Sequence, residues 1–172
     1  MNVTSYTNRT THSLLKIIKS ALQVAGRTGV SNSAHSDRIT RRVAHALALT
    51  PRGGVRNDVL AIDRLAVALH VQWFARDVHP WDSDLSERRR AELFAQQCLK
   101  DVDAAIPRLF EQLPEIDILE IGVLERDSKT RIIAGVVHRS DLAARAGSSL
   151  GMRLKTIGIN YRCTDLKLEP IA

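Results

Sequence analysis

Cysteine occurs only twice in 172 residues, at Cys98 and Cys163, far apart and in no metal-ligand spacing. This excludes a disulfide scaffold and a cysteine-based zinc staple, and the expectation is two reduced, buried thiols in a cytoplasmic protein. Aromatic residues make up 4% of the chain, which argues against a platform on which nucleic-acid bases stack. No apolar run approaches the roughly 20 residues that a membrane-spanning helix requires, so an integral membrane protein is not expected. A secretory signal is not expected either. The acceptor patterns Asn2-Val3-Thr4 and Asn8-Arg9-Thr10 therefore carry little meaning, because glycosylation needs an export route. Acidic residues are absent before Asp37. Residues 1–36 are thus basic, hydroxylated and amphipathic, as an organellar transit peptide is. They hold only four basic residues, however, and the apolar face suits a docking helix equally well.

Against these absences stands a composition ordinary for a globular protein, 44% hydrophobic and 26% charged, in a chain long enough to bury a core of its own. The net charge of +6 is unevenly spread. Residues 1–64 carry ten Lys/Arg and three Asp/Glu, a balance of +7, whereas residues 65–172 carry fifteen and sixteen, a balance of −1. A basic segment attached to a nearly neutral body points to a polyanionic partner.

Periodicity divides the chain accordingly. Residues 1–12 are polar and without apolar period. Leu14, Ile18, Leu22 and Ala25 line one face of a helix over 13–25, ended by Gly26 and Gly29. Ser36 or Asp37 caps a second helix to about Leu49, with Ile39, Val43, Ala46 and Leu47 inward and Arg38, Arg41, Arg42 and His45 outward. Arg52 and Arg56 follow around Gly53-Gly54. A short helix is expected over 57–63. From Leu65 to Ala75 apolar and less apolar residues alternate, which predicts a strand. Asp84-Leu85-Ser86-Glu87 reads as a capping box that starts the longest helix, in which Pro107 predicts a kink or restart. The runs 116–125 and 131–138, joined by Arg126-Asp127-Ser128-Lys129-Thr130, form a hairpin. A short helix over 140–146 and a last strand over 152–163, with a bulge near Lys155-Thr156, complete the body, and the tail adds an edge strand. The sum is an α+β protein: a basic helical extension at 1–63, then a domain at 64–172 with the ferredoxin-like βαββαβ order and an antiparallel sheet.

Two functional readings follow. The first is a non-enzymatic adaptor or subunit of a larger cytoplasmic assembly, without cofactor. Its basic segment, through Arg38, Arg41, Arg42, Arg52 and Arg56, would contact nucleic acid or an acidic protein, and association with a partner or a second copy is expected. The alternative is a metal-dependent phosphodiesterase or nuclease in the loop after the strand. There Asp77 and Asp82 would hold Mg²⁺ or Mn²⁺, Asp77 and His79 would do the catalysis, and Arg76 would stabilise charge. Each member also has a structural role open to it: Asp84 as helix cap, Asp82 in an Asx-turn, Arg76 paired with Asp77, and His79-Pro80-Trp81 as a rigid buried corner. His138, Ser140 and Asp141 are hydrolase residue types too close in sequence to form a relay, and a helix start explains them. Gly147-Ser148-Ser149-Leu150-Gly151 reads as a turn without the lysine of a phosphate-binding loop.

Overall fold

The alternation from Leu69 to Ala75 is realised as a strand packed on one face. Leu69, Val71, Trp73 and Ala75 are buried, while Ala68, His70, Gln72 and Phe74 between them are partly exposed. A computed structural model of the protein describes residues 33–48, 59–65, 67–145 and 149–171. The elements are α1 (Ser33–Ala48), β1 (Val59–Leu65), β2 (Ala68–Phe74), α2 (Glu87–Gln112), β3 (Ile118–Leu124), β4 (Arg131–His138), α3 (Leu150–Thr156), β5 (Ile159–Thr164) and β6 (Lys167–Glu169). Short 3-10 turns at Pro80–Asp82 and Arg139–Arg145 link them. Arg38–Ala172 forms one compact unit. The helix expected over 13–25 lies outside the described residues.

β1 to β5 make an open mixed sheet of five strands, and β6 continues it from β5, so that the order is β1-β2-β3-β4-β5-β6. The α+β class therefore holds. The ferredoxin-like antiparallel order does not, because each strand lies beside its sequence neighbour and β2 runs parallel to β3. The interleaved crossovers of a split βαβ require neighbours that are not consecutive. Here α2 makes one crossover, and the other neighbouring strands are antiparallel. Two local corrections accompany the difference. Residues 59–65 are a strand, not the end of a short helix, and they turn back at Val67 to pair with β2 from Leu65↔Ala68 to Val59↔Trp73. Residues 150–156 are helix, not strand. Leu150, Leu154 and Ile157 have helical spacing, and the change of parity near Lys155 is a helix-to-strand junction at Gly158 (φ +95°).

The β3–β4 hairpin forms as expected. Glu125 N–H donates to the Thr130 carbonyl at 2.9 Å, and Lys129 takes a positive φ of 55° in the turn. The register jumps between Val123↔Ile133 and Leu124↔Arg131. Ile132 is the extra residue of that irregularity, so both it and Ile133 are buried despite adjacent positions. On the half-exposed face His70 Nδ1 and Glu120 Oε2 approach to 3.2 Å across the parallel pair. This hydrogen bond holds the Glu120 carboxyl below its ordinary range, against the opposing effect of burial.

α2 buries Ala95, Cys98, Val102, Ala105, Ile106, Leu109 and Phe110 in the core that it shares with the sheet and with Ile39, Val43, Ala46 and Leu47 of α1. It runs unbroken through Pro107. Its N-cap is Ser86, whose hydroxyl accepts from Arg89 N–H at 3.4 Å, and not Asp84. The helix thus starts two residues later than the capping box suggested, and the amide of Leu85 before it is given to the Asp82 carbonyl at 3.2 Å.

The C-terminus of α2 has no glycine cap, and two arginines satisfy its carbonyls instead. Arg139 donates to the carbonyls of Phe110 (3.2 Å), Leu113 (3.0 Å) and Ile116 (3.1 Å) and lies over the Phe110 ring. Arg42 bonds the Gln112 carbonyl and pairs with Glu115 at 2.8 Å. Both cations also oppose the negative end of the helix dipole. Arg139→Ala should lower stability by about 2 kcal/mol in urea denaturation, because several carbonyls lose their donor together. Lysine should recover only part of the loss, since it lacks the planar fork.

Candidate functional site

β2 delivers its C-terminal end to the loop in which sequence spacing placed the candidate metal and catalytic residues. The first of them turns inward. Arg76 Nε and Nη2 meet Asp101 Oδ2 and Oδ1 at 2.6 and 3.0 Å, a two-pronged pair with the 7%-exposed carboxylate in the buried stripe of α2. Gln97 adds hydrogen bonds to the carbonyls of Arg76 (3.1 Å) and Asp77 (3.2 Å). The strand exit is thereby fastened to α2, and Arg76 is a tether to Asp101 and not the partner of Asp77.

Asp77 points outward, its side chain 66% exposed, with Arg126 Nε at 3.7 Å. His79 follows in the open and forms the corner with Pro80–Asp82: its carbonyl accepts from Asp82 N–H at 2.8 Å and its Nδ1 accepts from Trp81 N–H at 3.3 Å. These bonds close the corner, and His79 and Trp81 are exposed where a buried corner was the alternative. Trp81 is 89% exposed, with the imidazole of His79 edge-on to it at 5.1 Å. Asp82 is partly exposed and Asp84 is exposed. Among the described residues, no three His, Cys, Asp or Glu side chains form a group that one metal ion could bind. Asp77, His79 and Asp82 are therefore close in sequence without forming such a set.

The structure brings a different company to Asp77. An open cleft of about 410 Å³ is lined by Asp77 and Val78 after β2, Glu87, Arg90 and Phe94 of α2, Glu125, Arg126 and Asp127 after β3, and Lys167 of β6. It lies beyond the carboxyl ends of the two parallel strands, where open α/β sheets place their ligand sites. Carboxylates and cations line it together with the apolar Val78, Ala91, Phe94 and Leu168. Arg126 also lies 5.4 Å over the Phe74 ring. Sequence spacing found Asp77 but not Arg126 or Lys167, because their proximity depends on the parallel pairing of β2 with β3 and on the return of β6.

Of the basic residues expected to meet a polyanion, Arg38 and Arg41 are exposed on α1 beside His45, opposite the buried Ile39 and Val43. Arg42 is half-buried at the end of α2. Arg52 and Arg56 lie outside the described residues. Ser140 donates to Asp141 at 3.2 Å, and Asp141 accepts from His138 N–H at 3.4 Å, as at a turn. Cys98 is buried, and burial, helped by the charge of Asp101, pushes its thiol far up, so it is no nucleophile at neutral pH. Cys163, expected to be buried, is exposed.

No family model matches this chain, and neither a curated protein nor a solved structure shows a match to it.

Proposed function

We propose that the protein is a non-enzymatic adaptor or subunit of a larger cytoplasmic assembly, and that its basic N-terminal third contacts a polyanion, either nucleic acid or an acidic protein surface. The observation that carries this reading is the division of α1 into two faces. Ile39, Val43, Ala46 and Leu47 are committed to the core, and Arg42 to the end of α2, while Arg38 and Arg41 face solvent. A helix held rigidly from behind presents its outward cations in fixed positions, which suits them to a regular array of negative charge. Among the described residues no helix is long and apolar enough to cross a membrane.

Removing the whole segment would also remove core residues, so the test is charge reversal in the full chain. Binding to double-stranded DNA, RNA and polyglutamate should be measured by anisotropy for the natural chain and for the double variant Arg38→Glu/Arg41→Glu, between 50 and 200 mM salt. The expected result is binding to one of them at low salt, weakened about tenfold or more in the variant, with the salt slope for nucleic acid lower by about 2. No binding at low salt, or equal binding by the variant, would refute the reading.

A further inference from the structure

We propose that the loop of residues 77–87 is a second interaction surface, anchored by Trp81, for a partner segment that presents arginine or lysine side chains. It goes beyond the polyanion reading of α1, on which it does not depend. At 89% exposure Trp81 is the most exposed of the large apolar side chains in the described residues, and a tryptophan so placed loses favourable burial that a partner can restore. Its backbone is hydrogen-bonded on both sides. The bonds Asp82 N–H to His79 O, Trp81 N–H to His79 Nδ1 and Leu85 N–H to Asp82 O set the turn, so little loop entropy remains to be lost on binding.

The chemistry of the partner follows from charge and from the ring itself. Between Arg76 and Arg88 the chain has four carboxylates, Asp77, Asp82, Asp84 and Glu87, and no lysine or arginine, in a protein of net charge +6. Asp84 and Glu87 are exposed and Asp82 is partly so. Of the neighbouring cations, Arg126 and Lys167 line the cleft with Arg90, Arg89 donates to Glu92 at 2.6 Å, and Arg88 is exposed on the first turn of α2 next to Glu87. An incoming cation is thus drawn towards Asp82, Asp84 and the indole. Cations already sit over the rings of Phe74, Phe110 and Tyr161 at 5.4, 4.8 and 5.2 Å, and among the described residues Trp81 carries none. Indole is the strongest of the aromatic faces for a cation, and guanidinium can also stack on it. Nucleic-acid bases could stack on an exposed tryptophan too, but the surrounding carboxylates repel phosphates.

The test uses the full chain and three fluorescein-labelled probes at low salt: a tetra-arginine peptide, a tetra-glutamate peptide and an oligothymidylate. The arginine peptide should bind and the other two should not bind this loop. Trp81→Ala should weaken arginine-peptide binding at least fivefold, and Asp82→Asn/Asp84→Asn about threefold, while Trp81→Phe should keep part of the affinity. Thermal unfolding of each variant should match the natural chain, which separates loss of the surface from loss of fold. Absence of arginine-peptide binding, equal binding by Trp81→Ala, or binding of the oligonucleotide or glutamate peptide that Trp81→Ala abolishes would overturn the proposal. Arg38→Glu/Arg41→Glu should leave arginine-peptide affinity undiminished, so the two surfaces fail or stand separately.

Discussion

Asp101→Ala should lower the unfolding free energy by about 3–5 kcal/mol, a large part of the stability of a domain of this size. The carboxylate is 7% exposed and accepts both prongs of Arg76, whose side chain is 18% exposed. Alanine would leave a guanidinium largely desolvated and unpaired at the point where β2 passes to α2. Most of the cost is therefore the penalty of the orphaned cation. The double variant Arg76→Met/Asp101→Leu removes both charges and keeps apolar volume, and should recover most of the loss. Urea denaturation of the single and double variants measures both effects. A single variant within about 1 kcal/mol of the natural chain would show that Arg76 simply swings to solvent.

Gly135→Val should cost about 3 kcal/mol or more, for a reason found in backbone and not in side-chain packing. A Cβ at Gly135 would stand 2.3 Å from the Gly158 carbonyl oxygen and 2.8 Å from Ile159 Cα. Neither can rotate away as a side chain could, because Gly135 and Ile159 are register partners where β4 meets β5. Gly158 is constrained from the other side, since at φ +95° its own Cβ would lie 2.4 Å from the Val136 carbonyl oxygen. The control is Gly122→Ala on β3. There the added Cβ meets Gln72 Cγ at 3.0 Å, a flexible side chain, and the cost should stay below about 1 kcal/mol. Denaturation midpoints compare the pair directly. Equal losses at the two glycines would refute the close approach of β4 and β5 as the cause.

The parts of the fold that were legible in sequence are those with a strong period and local punctuation. The inward stripe from Cys98 to Leu109 gave α2, and two β-branched runs around Asp127-Ser128 gave the hairpin. β1 was hidden because no glycine, proline or asparagine marks the reversal at Val67, and the four apolar residues Val59–Ile62 followed by Asp63 and Arg64 are too short a run to separate strand from helix by periodicity. The strand order was hidden because register between β2 and β3 is fixed by contacts far apart in sequence. At the loop, the residue types told of chemistry and the spacing told of turns. Neither could show that Arg76 turns inward to Asp101, or that the tryptophan of the corner stands in water. Both depend on how α2 lies against the end of β2.

The sequential strand order leaves most of the entropy of chain closure to two connections, the longer of them between β2 and β3. β1 with β2, β3 with β4, and β5 with β6 close over short reversals, and β4 meets β5 across a modest connection. β2 and β3 must find each other across residues 75–117, where a flexible connection of that length would cost about 3 kcal/mol to close, against somewhat less for residues 139–158 between β4 and β5 and about 1–2 kcal/mol for the short turns. Most of that connection is α2, whose rigid length replaces a loose loop. Its middle holds the exit of β2 through Asp101 and Gln97, and its C-terminal end is held at the entry to β3 by Arg139. The longest closure in the chain is thus spanned by a rod held at its middle and at its C-terminal end, and it joins the β1–β2 hairpin to the β3–β4 hairpin.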